Sequence, residues 1–285
     1  YLKSYLKSLI PNMMKNLIID GQNFFHRSLA GMFGSSNSDE HIITFNFIRN
    51  FKAIVQQFKP DKVYLVLEGH PKHRYALYPE YKANRIIKEG QEEKKNSKNK
   101  FFEETKIILE LLQHFPVTIV KHPDFECDDV INTLVHSLDK DENIVITSDT
   151  DFFQLLETSS CKVYNSTKKI FLEKFPYTYV VHKSLVGDKS DNIKRLLSEK
   201  KAEKILSSPE LLETYLSIVE NQENFNINYS LIKFSDVPVE ELQAEEYRFN
   251  LPVIVEKFEE YKFESLLKDS YLTAFTEVFS QLALK

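Results

Sequence analysis

Three apolar runs in this chain each stop at a carboxylate: Leu17-Ile18-Ile19-Asp20-Gly21, Val63-Tyr64-Leu65-Val66-Leu67-Glu68 and Ile144-Val145-Ile146-Thr147-Ser148-Asp149. Runs this short and this rich in Val, Ile and Leu read as strands buried on both faces, the signature of a parallel sheet. In an open parallel sheet the ligand crevice lies beyond the carboxyl ends of the strands. The pattern therefore predicts an α/β fold, with a central, mostly parallel sheet flanked by helices. Asp20, Glu68 and Asp149 are expected in one crevice.

The stretch from Asp124 to Asp151 adds further acids. Asp128 and Asp129 precede Val130, Ile131, Leu134, Val135 and Leu138, whose spacing is that of one helix face, so the pair belongs in the first helical turn. Glu126 lies just before them and Asp151 two residues beyond Asp149. Anions packed this densely raise one another's pKa and oppose ionisation unless a cation lies among them. A divalent metal is the first expectation. Later, Gly187-Asp188-Lys189-Ser190-Asp191-Asn192-Ile193 carries two more acids at an i, i+3 spacing, which is one face of a helical turn.

Charge is segregated. The 285 residues hold 37 Lys and Arg against 42 Asp and Glu, a net charge of −5 that alone argues against a general nucleic-acid binder. Between Lys72 and Lys100, however, nine Lys or Arg stand against four Glu, a net of +5 that can face a polyanion. From Gly69 to Lys100 there is little sustained apolar periodicity, which predicts a solvated, mobile crossing over the site. Elsewhere the spacing predicts a helix from Phe24 to Met32, helices over Ile42–Phe58 and Phe101–Phe115, a strand over Val117–Val120, and a hairpin of Cys161–Tyr164 with Ile170–Leu172. Helical patterns over Pro209–Val219, Val253–Leu267 and Leu272–Leu284 make the carboxyl third a helical subdomain.

Cys127 and Cys161 supply neither a disulfide framework nor a zinc pattern, which fits a reducing cytoplasm. No apolar run approaches a membrane span and no signal peptide is evident, so no membrane partner is expected. Tyr-Leu-Lys-Ser occurs twice before Pro11, and residues 1–12 are expected to extend outside the fold. The expected division is a core over residues 13–182, with a basic segment at about 69–106, and a helical subdomain over 183–285.

The ordered set resembles the structure-specific 5′-nuclease family: phage-type 5′-3′ exonucleases, flap endonucleases and the 5′-nuclease domain of bacterial DNA polymerase I. It comprises Ile19-Asp20-Gly21, the strand ending at Glu68, Tyr78-Pro79-Glu80-Tyr81-Lys82-Ala83-Asn84-Arg85, Glu126-Cys127-Asp128-Asp129, Ser148-Asp149-Thr150-Asp151 and Gly187 to Ile193. Each motif is weak alone; together and in order they are specific over residues 16–206. The resemblance implies a PIN-like core in which Asp20, Glu68, Glu126 and Asp128 serve one metal cluster. Asp129 would bridge toward Asp149, Asp151, Asp188 and Asp191 in a second. Two or more Mg²⁺ or Mn²⁺ ions, which prefer carboxylate and water oxygens, are the implied cofactors.

The resemblance also implies Lys82, Arg85, Asp128 and Asp149 as catalytic residues, with Lys82 and Arg85 stabilising charge at the phosphate. Tyr81 would stack on a nucleobase. Lys88, Lys94, Lys95, Lys98 and Lys100 would line the arch around a 5′ single strand. Two departures are evident. The family usually has Asp where Glu68 stands, and it follows its Gly-Asp element with a glycine-bearing hairpin that binds duplex phosphates, whereas no glycine follows Gly187. Duplex binding is instead expected from Lys194, Arg195, Lys200, Lys201 and the amino end of a helix near Ser198.

The implied activity is phosphodiester hydrolysis of DNA or RNA–DNA at 5′ ends, flaps and junctions, with primer removal in phage-type replication as its setting. A monomer in the host cytoplasm, working beside replication proteins, is the expected context. Two alternatives are a PIN-like RNA nuclease and a catalytically impaired junction-DNA-binding protein. The Gly187–Ile193 element and the basic arch count against the first, and the density of acids against the second.

Overall fold

The computed structural model describes residues 13–30, 40–85 and 92–283. Strands β1 (Lys15–Asp20), β2 (Lys62–Val66), β3 (Thr118–Lys121), β4 (Glu142–Ile146), β5 (Lys162–Asn165), β6 (Ile170–Phe171) and β7 (Gln243–Glu246) form one sheet in the order β6-β5-β4-β1-β2-β3-β7. Pairings among β1 to β5 are parallel, and β6 and β7 close the two edges antiparallel. After β1 the chain builds outward through β2 and β3, then returns to place β4 on the other side of β1. That reversal opens a crevice above the carboxyl ends of β1 and β4.

Alternation along the strands divides the core. Leu17 and Ile19 face one layer, where Phe47, Phe51, Phe115, Phe258, Phe275 and Phe279 pack; Ile18 faces the other, against Val130, Ile131 and Leu134. The first layer is aromatic. Phe115 meets Phe275 and Phe279 edge-on with ring centroids 5.7 and 5.0 Å away, an arrangement aromatic quadrupoles favour.

Three expectations change. The segment read as an unstructured crossing is largely helical among the described residues: Lys72–Leu77 forms a helix, Ala83–Arg85 a 3₁₀ turn, and one long helix runs over Glu92–Leu112. Periodicity missed the amino half of that helix because residues 95–99 are exposed and carry no apolar side chain, while Phe101, Ile108, Leu111 and Leu112 anchor the remainder. The carboxyl third is not a separate helical body. Helices Glu199–Leu206, Pro209–Leu216 and Val219–Ile232 stand together, but β7 then rejoins the sheet beside β3, and helices Leu251–Glu260 and Asp269–Ala283 bury Ile254, Phe258, Phe275 and Phe279 in the first core layer. Finally, Asp188 to Ile193 is closed by a pair of backbone hydrogen bonds between its end residues rather than by a helical turn.

Candidate active site

Each acid reaches the crevice for a local reason. Asp20 ends β1, Glu68 lies two residues past β2, and Asp149 follows β4 as the cap of a short 3₁₀ turn, accepting the Asp151 N–H at 2.9 Å. The helix Cys127–Ser137 follows β3 and begins with a capping box in which Glu126 and Asp129 satisfy each other's backbone N–H groups. Asp128 is thereby turned toward the crevice. Asp20, Glu68, Asp128 and Asp149 line one cavity of about 200 Å³, with Asn23, His26, Cys127 and Arg85 around them.

Among the described residues none of these four carboxylates has an ion-pair partner. Asp20 is held by the Asn23 N–H at 3.0 Å and the Thr147 hydroxyl at 2.8 Å, and Glu68 accepts the Cys127 N–H at 3.1 Å. Burial raises Asp20 and, together with Glu126 and Asp129, raises Asp128 well above the ordinary carboxylate range. Glu68 is pushed up to about 7 by lost hydration and by Glu126; Asp149 is likewise pushed to about 7 by lost hydration and Asp151. Mutual repulsion without a resident cation is the electrostatic condition that a bound divalent ion would relieve.

The remaining acids are already compensated by cations. Asp151 accepts the Lys183 ammonium at 2.9 Å and the Tyr179 hydroxyl at 2.7 Å, and the same ammonium reaches Asp188 at 2.7 Å. Burial works to raise Asp188, yet Lys183 and Ser190 hold it below its ordinary value. Asp191 pairs with Arg85 and lies 3.8 Å from Lys82, whose ammonium pairs with Glu126. Burial opposes the charge of Glu126 too, but Lys82 and Arg74 outweigh it and lower its pKa.

Two distant motifs are zipped together here. The Lys82 N–H donates to the Asp191 carbonyl at 3.0 Å, Asn84 donates to the Lys189 carbonyl at 2.6 Å, and Asn192 donates to the Glu80 carbonyl at 2.8 Å. Gly187 makes the entry possible: its φ is +70°, and a Cβ there would sit 2.7 Å from the Lys194 carbonyl group.

Two assignments differ from expectation. Asp129 does not bridge toward Asp149: fully buried, it gives both oxygens to Arg74 at 2.6 and 2.7 Å, and its Oδ1 also accepts the Ser235 N–H at 2.7 Å. Tyr81 presents no face for a base. It is 3% exposed, and its hydroxyl lies between two carboxylates, 2.9 Å from a Glu126 oxygen and 3.2 Å from an Asp191 oxygen, sharing its one proton between them. The buried phenol is therefore a strut between acids. Lys194, Arg195, Lys200 and Lys201 are exposed, the last two in the first turn of the Glu199–Leu206 helix, which Ser198 precedes. Lys95, Lys98 and Lys100 lie on the Glu92–Leu112 helix, Lys95 and Lys98 exposed, whereas Lys88 and the Lys94 side chain lie outside the described residues.

Sequence reasoning missed Arg74 and Lys183. Lys183 stands one helical turn before Gly187, on the helix Tyr179–Val186 that delivers Asp188, and that placement was the available signal. Nothing local distinguishes Arg74 from the other bases around it.

A family model described as the 5′-3′ exonuclease, N-terminal resolvase-like domain, matches residues 15–183, more than half the chain and every acid up to Asp151. The chain belongs to the 5′-3′ exonuclease family. DNA polymerase I of Caldicellulosiruptor bescii is 28% identical over 234 residues, which are 75% of this chain but only 26% of that protein. The 5′-3′ exonuclease of Aquifex aeolicus is 25% identical over 90% of this chain and 95% of its own length. In fold, the bacteriophage T5 flap endonuclease, solved as a pseudo-enzyme-product complex with DNA and metal ions, aligns with a TM-score of 0.62 at 19% identity, covering 95% of this chain and 99% of that one. No helix among the described residues is long and apolar enough to cross a membrane.

The donor set suits a hard cation. The cavity offers carboxylate oxygens, the ligands Mg²⁺ and Mn²⁺ prefer, and its one thiol, Cys127, is kept protonated by burial and by Asp20 and Glu68. Among the described residues no three His, Cys, Asp or Glu side chains are drawn together closely enough to hold an ion as they stand. Gathering them requires side-chain rotation, for which the exposed Glu68 and Asp149 have room.

Proposed function

We propose that this protein is a divalent-metal-dependent, structure-specific 5′ nuclease that hydrolyses phosphodiesters of DNA or RNA–DNA at 5′ ends and flaps, with primer removal in phage-type replication as its role. The observation that carries the reading is the single cavity lined by Asp20, Glu68, Asp128 and Asp149 with the Arg85 guanidinium at its edge. Four carboxylates with no ion-pair partner among the described residues repel a phosphate on their own, so their juxtaposition with a phosphate-binding base makes sense around Mg²⁺ or Mn²⁺. When bound, such ions supply an activated water and neutralise developing charge on the phosphate oxygens.

The chain's own groups would do the rest. Arg85 has half its side chain exposed, so an incoming phosphate competes with Asp191 for Arg85 and with Glu126 for Lys82. Donors placed this way stabilise charge that develops in the transition state. Asp151, Asp188 and Asp191 are the second-cluster ligands in this reading, with Lys183 holding the first two in the absence of an ion. Lys95, Lys98 and Lys100 in the amino half of the long helix would meet the 5′ strand, and Lys194, Arg195, Lys200 and Lys201 the duplex.

A junction-binding protein without turnover is the second reading. The pairing of Asp151 and Asp188 with Lys183 favours it, because those carboxylates are satisfied without metal. A 5′-labelled flapped duplex and the matching single strand, each incubated with protein in Mg²⁺, in Mn²⁺ and in chelator, separate the two. Cleavage near the junction, dependent on metal and faster than on the single strand, is expected; binding without cleavage in either ion would reject the nuclease.

A further inference from the structure

Arg74 is 1% exposed, the most enclosed basic side chain among the described residues. A guanidinium taken out of water is tolerated only where its charge and all its N–H groups find partners. Its Nη1 donates to Glu126 Oε2 and Asp129 Oδ2, both at 2.6 Å, and Nη2 donates to Asp129 Oδ1 at 2.7 Å and the Lys233 carbonyl at 3.4 Å. Nε donates to the Leu231 carbonyl at 3.0 Å. One planar group thus ties together the helix Lys72–Leu77 in the basic segment, the turn that begins the helix Cys127–Ser137, and the chain leaving the helix Val219–Ile232.

The consequence falls on residues Arg74 never touches. Glu126 and Asp129 are the two halves of the capping box, so fixing both carboxylates fixes the turn between them. That turn carries Asp128 into the cavity, and its Cys127 N–H holds Glu68. With Glu126 Oε2 engaged by Arg74 and Tyr81, only Oε1 is left toward Lys82. We infer that Arg74 is a positioning residue for metal binding: its forked contacts with Glu126 and Asp129 set the orientation of Asp128 and Glu68, and link that orientation to the Lys72–Leu77 helix and the Leu231–Ser235 segment. The inference rests on the metal-dependent reading above.

The test reads metal binding directly, by the electron spin resonance of free Mn²⁺ titrated with protein and no nucleic acid. Arg74→Lys keeps the charge and loses the planar fork. Its Mn²⁺ dissociation constant is expected to rise by about 10- to 100-fold, the range for residues that orient metal ligands, with near-UV circular dichroism unchanged. A mere destabilisation of the fold would leave the affinity of the folded protein as it was. Repulsion alone has the opposite sign for Arg74→Gln, which would bind Mn²⁺ more tightly; positioning predicts weaker binding there too.

Hydrogen exchange on the unmutated protein provides a second reading that does not require a variant to fold. Saturation with Mn²⁺ is expected to slow exchange at the Ser235 N–H and through Lys72–Leu77. Unaltered Mn²⁺ affinity in a folded Arg74→Lys protein, or exchange at those sites indifferent to Mn²⁺, would overturn the inference while leaving the nuclease reading intact. Absence of Mn²⁺ binding to the unmutated protein would reject the metal-dependent reading itself, and the inference with it.

Discussion

The acids that line the cavity and the acids met by Lys183 and Arg85 have similar chemistry and opposite circumstances. Asp20, Glu68, Asp128 and Asp149 share a cavity with no ion-pair partner among the described residues and are pushed toward the neutral form, whereas Asp151, Asp188 and Asp191 lie against Lys183 and Arg85. The difference follows from position. A carboxylate at the end of a buried strand meets sheet edge and helix termini, which offer N–H groups but little mobile charge. One on a surface loop can be met by a long, flexible lysine from a neighbouring helix. Unpaired acids gain most from a divalent ion; paired acids must first give up a cation to bind one.

Removing an open acid should have the largest effect. Asp128→Asn is expected to cut turnover on a flapped duplex by more than about 100-fold, the loss typical when a preorganised electrostatic group is removed, while binding of the same duplex in Ca²⁺ holds or tightens. Equal losses of binding and turnover would place Asp128 outside the chemistry. Converting the paired region into an open one should act next. Lys183→Met leaves Asp151 and Asp188 without their shared ammonium, so the melting temperature of the metal-free protein should fall and Mn²⁺ should restore it more fully than in the unmutated protein. A melting temperature indifferent to the change would show that the pair contributes nothing to the fold.

The smallest effect is a pH trend confined to the open region. Glu68 and Asp149 have folded pKa values raised to about 7 from ordinary values of 4.5 and 3.8. A carboxyl whose pKa is raised on folding is bound to its proton more tightly in the folded state. Its stabilising contribution is therefore complete below the unfolded pKa and lost as pH rises through the folded one. Burial lowers the pKa of His26 and His73, which acts in the opposite sense over the same window. Melting of the metal-free protein should therefore decline more steeply between about pH 4 and 8 than that of a Glu68→Gln, Asp149→Asn double variant, and saturating Mg²⁺ should flatten the difference at its upper end. Identical slopes in the two proteins would show that neither carboxyl holds its proton more tightly on folding.

Much of this site was legible in the chain. Strand-end placement of Asp20, Glu68 and Asp149 follows from short apolar runs, since a buried parallel strand can consist of little else and its polar residues collect at its ends. The helix that presents Asp128 is marked by the spacing of Val130, Ile131, Leu134 and Val135. Less legible was the basic segment, where the helix Lys72–Leu77 is short and residues 92–100 of the helix Glu92–Leu112 include no apolar residue to betray its period. The return of Gln243–Glu246 to the sheet was also hidden, because an edge strand with all four residues exposed has no core-facing alternation to read.

Sequence alone therefore determined the α/β class, the placement of acids at the carboxyl ends of the strands, and the family to which their order belongs. These depend on local periodicity and on where a strand stops. Only the tertiary structure decided which carboxylates stay open, which are met by Lys183 or Arg85, and that Asp129 and Tyr81 are struts rather than a ligand and a stacking surface. Those outcomes depend on contacts such as Arg74 with Asp129 and Tyr81 with Asp191, made between side chains 55 and 110 residues apart. The partner of a buried charge is fixed by how layers pack over such separations, and no spacing within a single element records it.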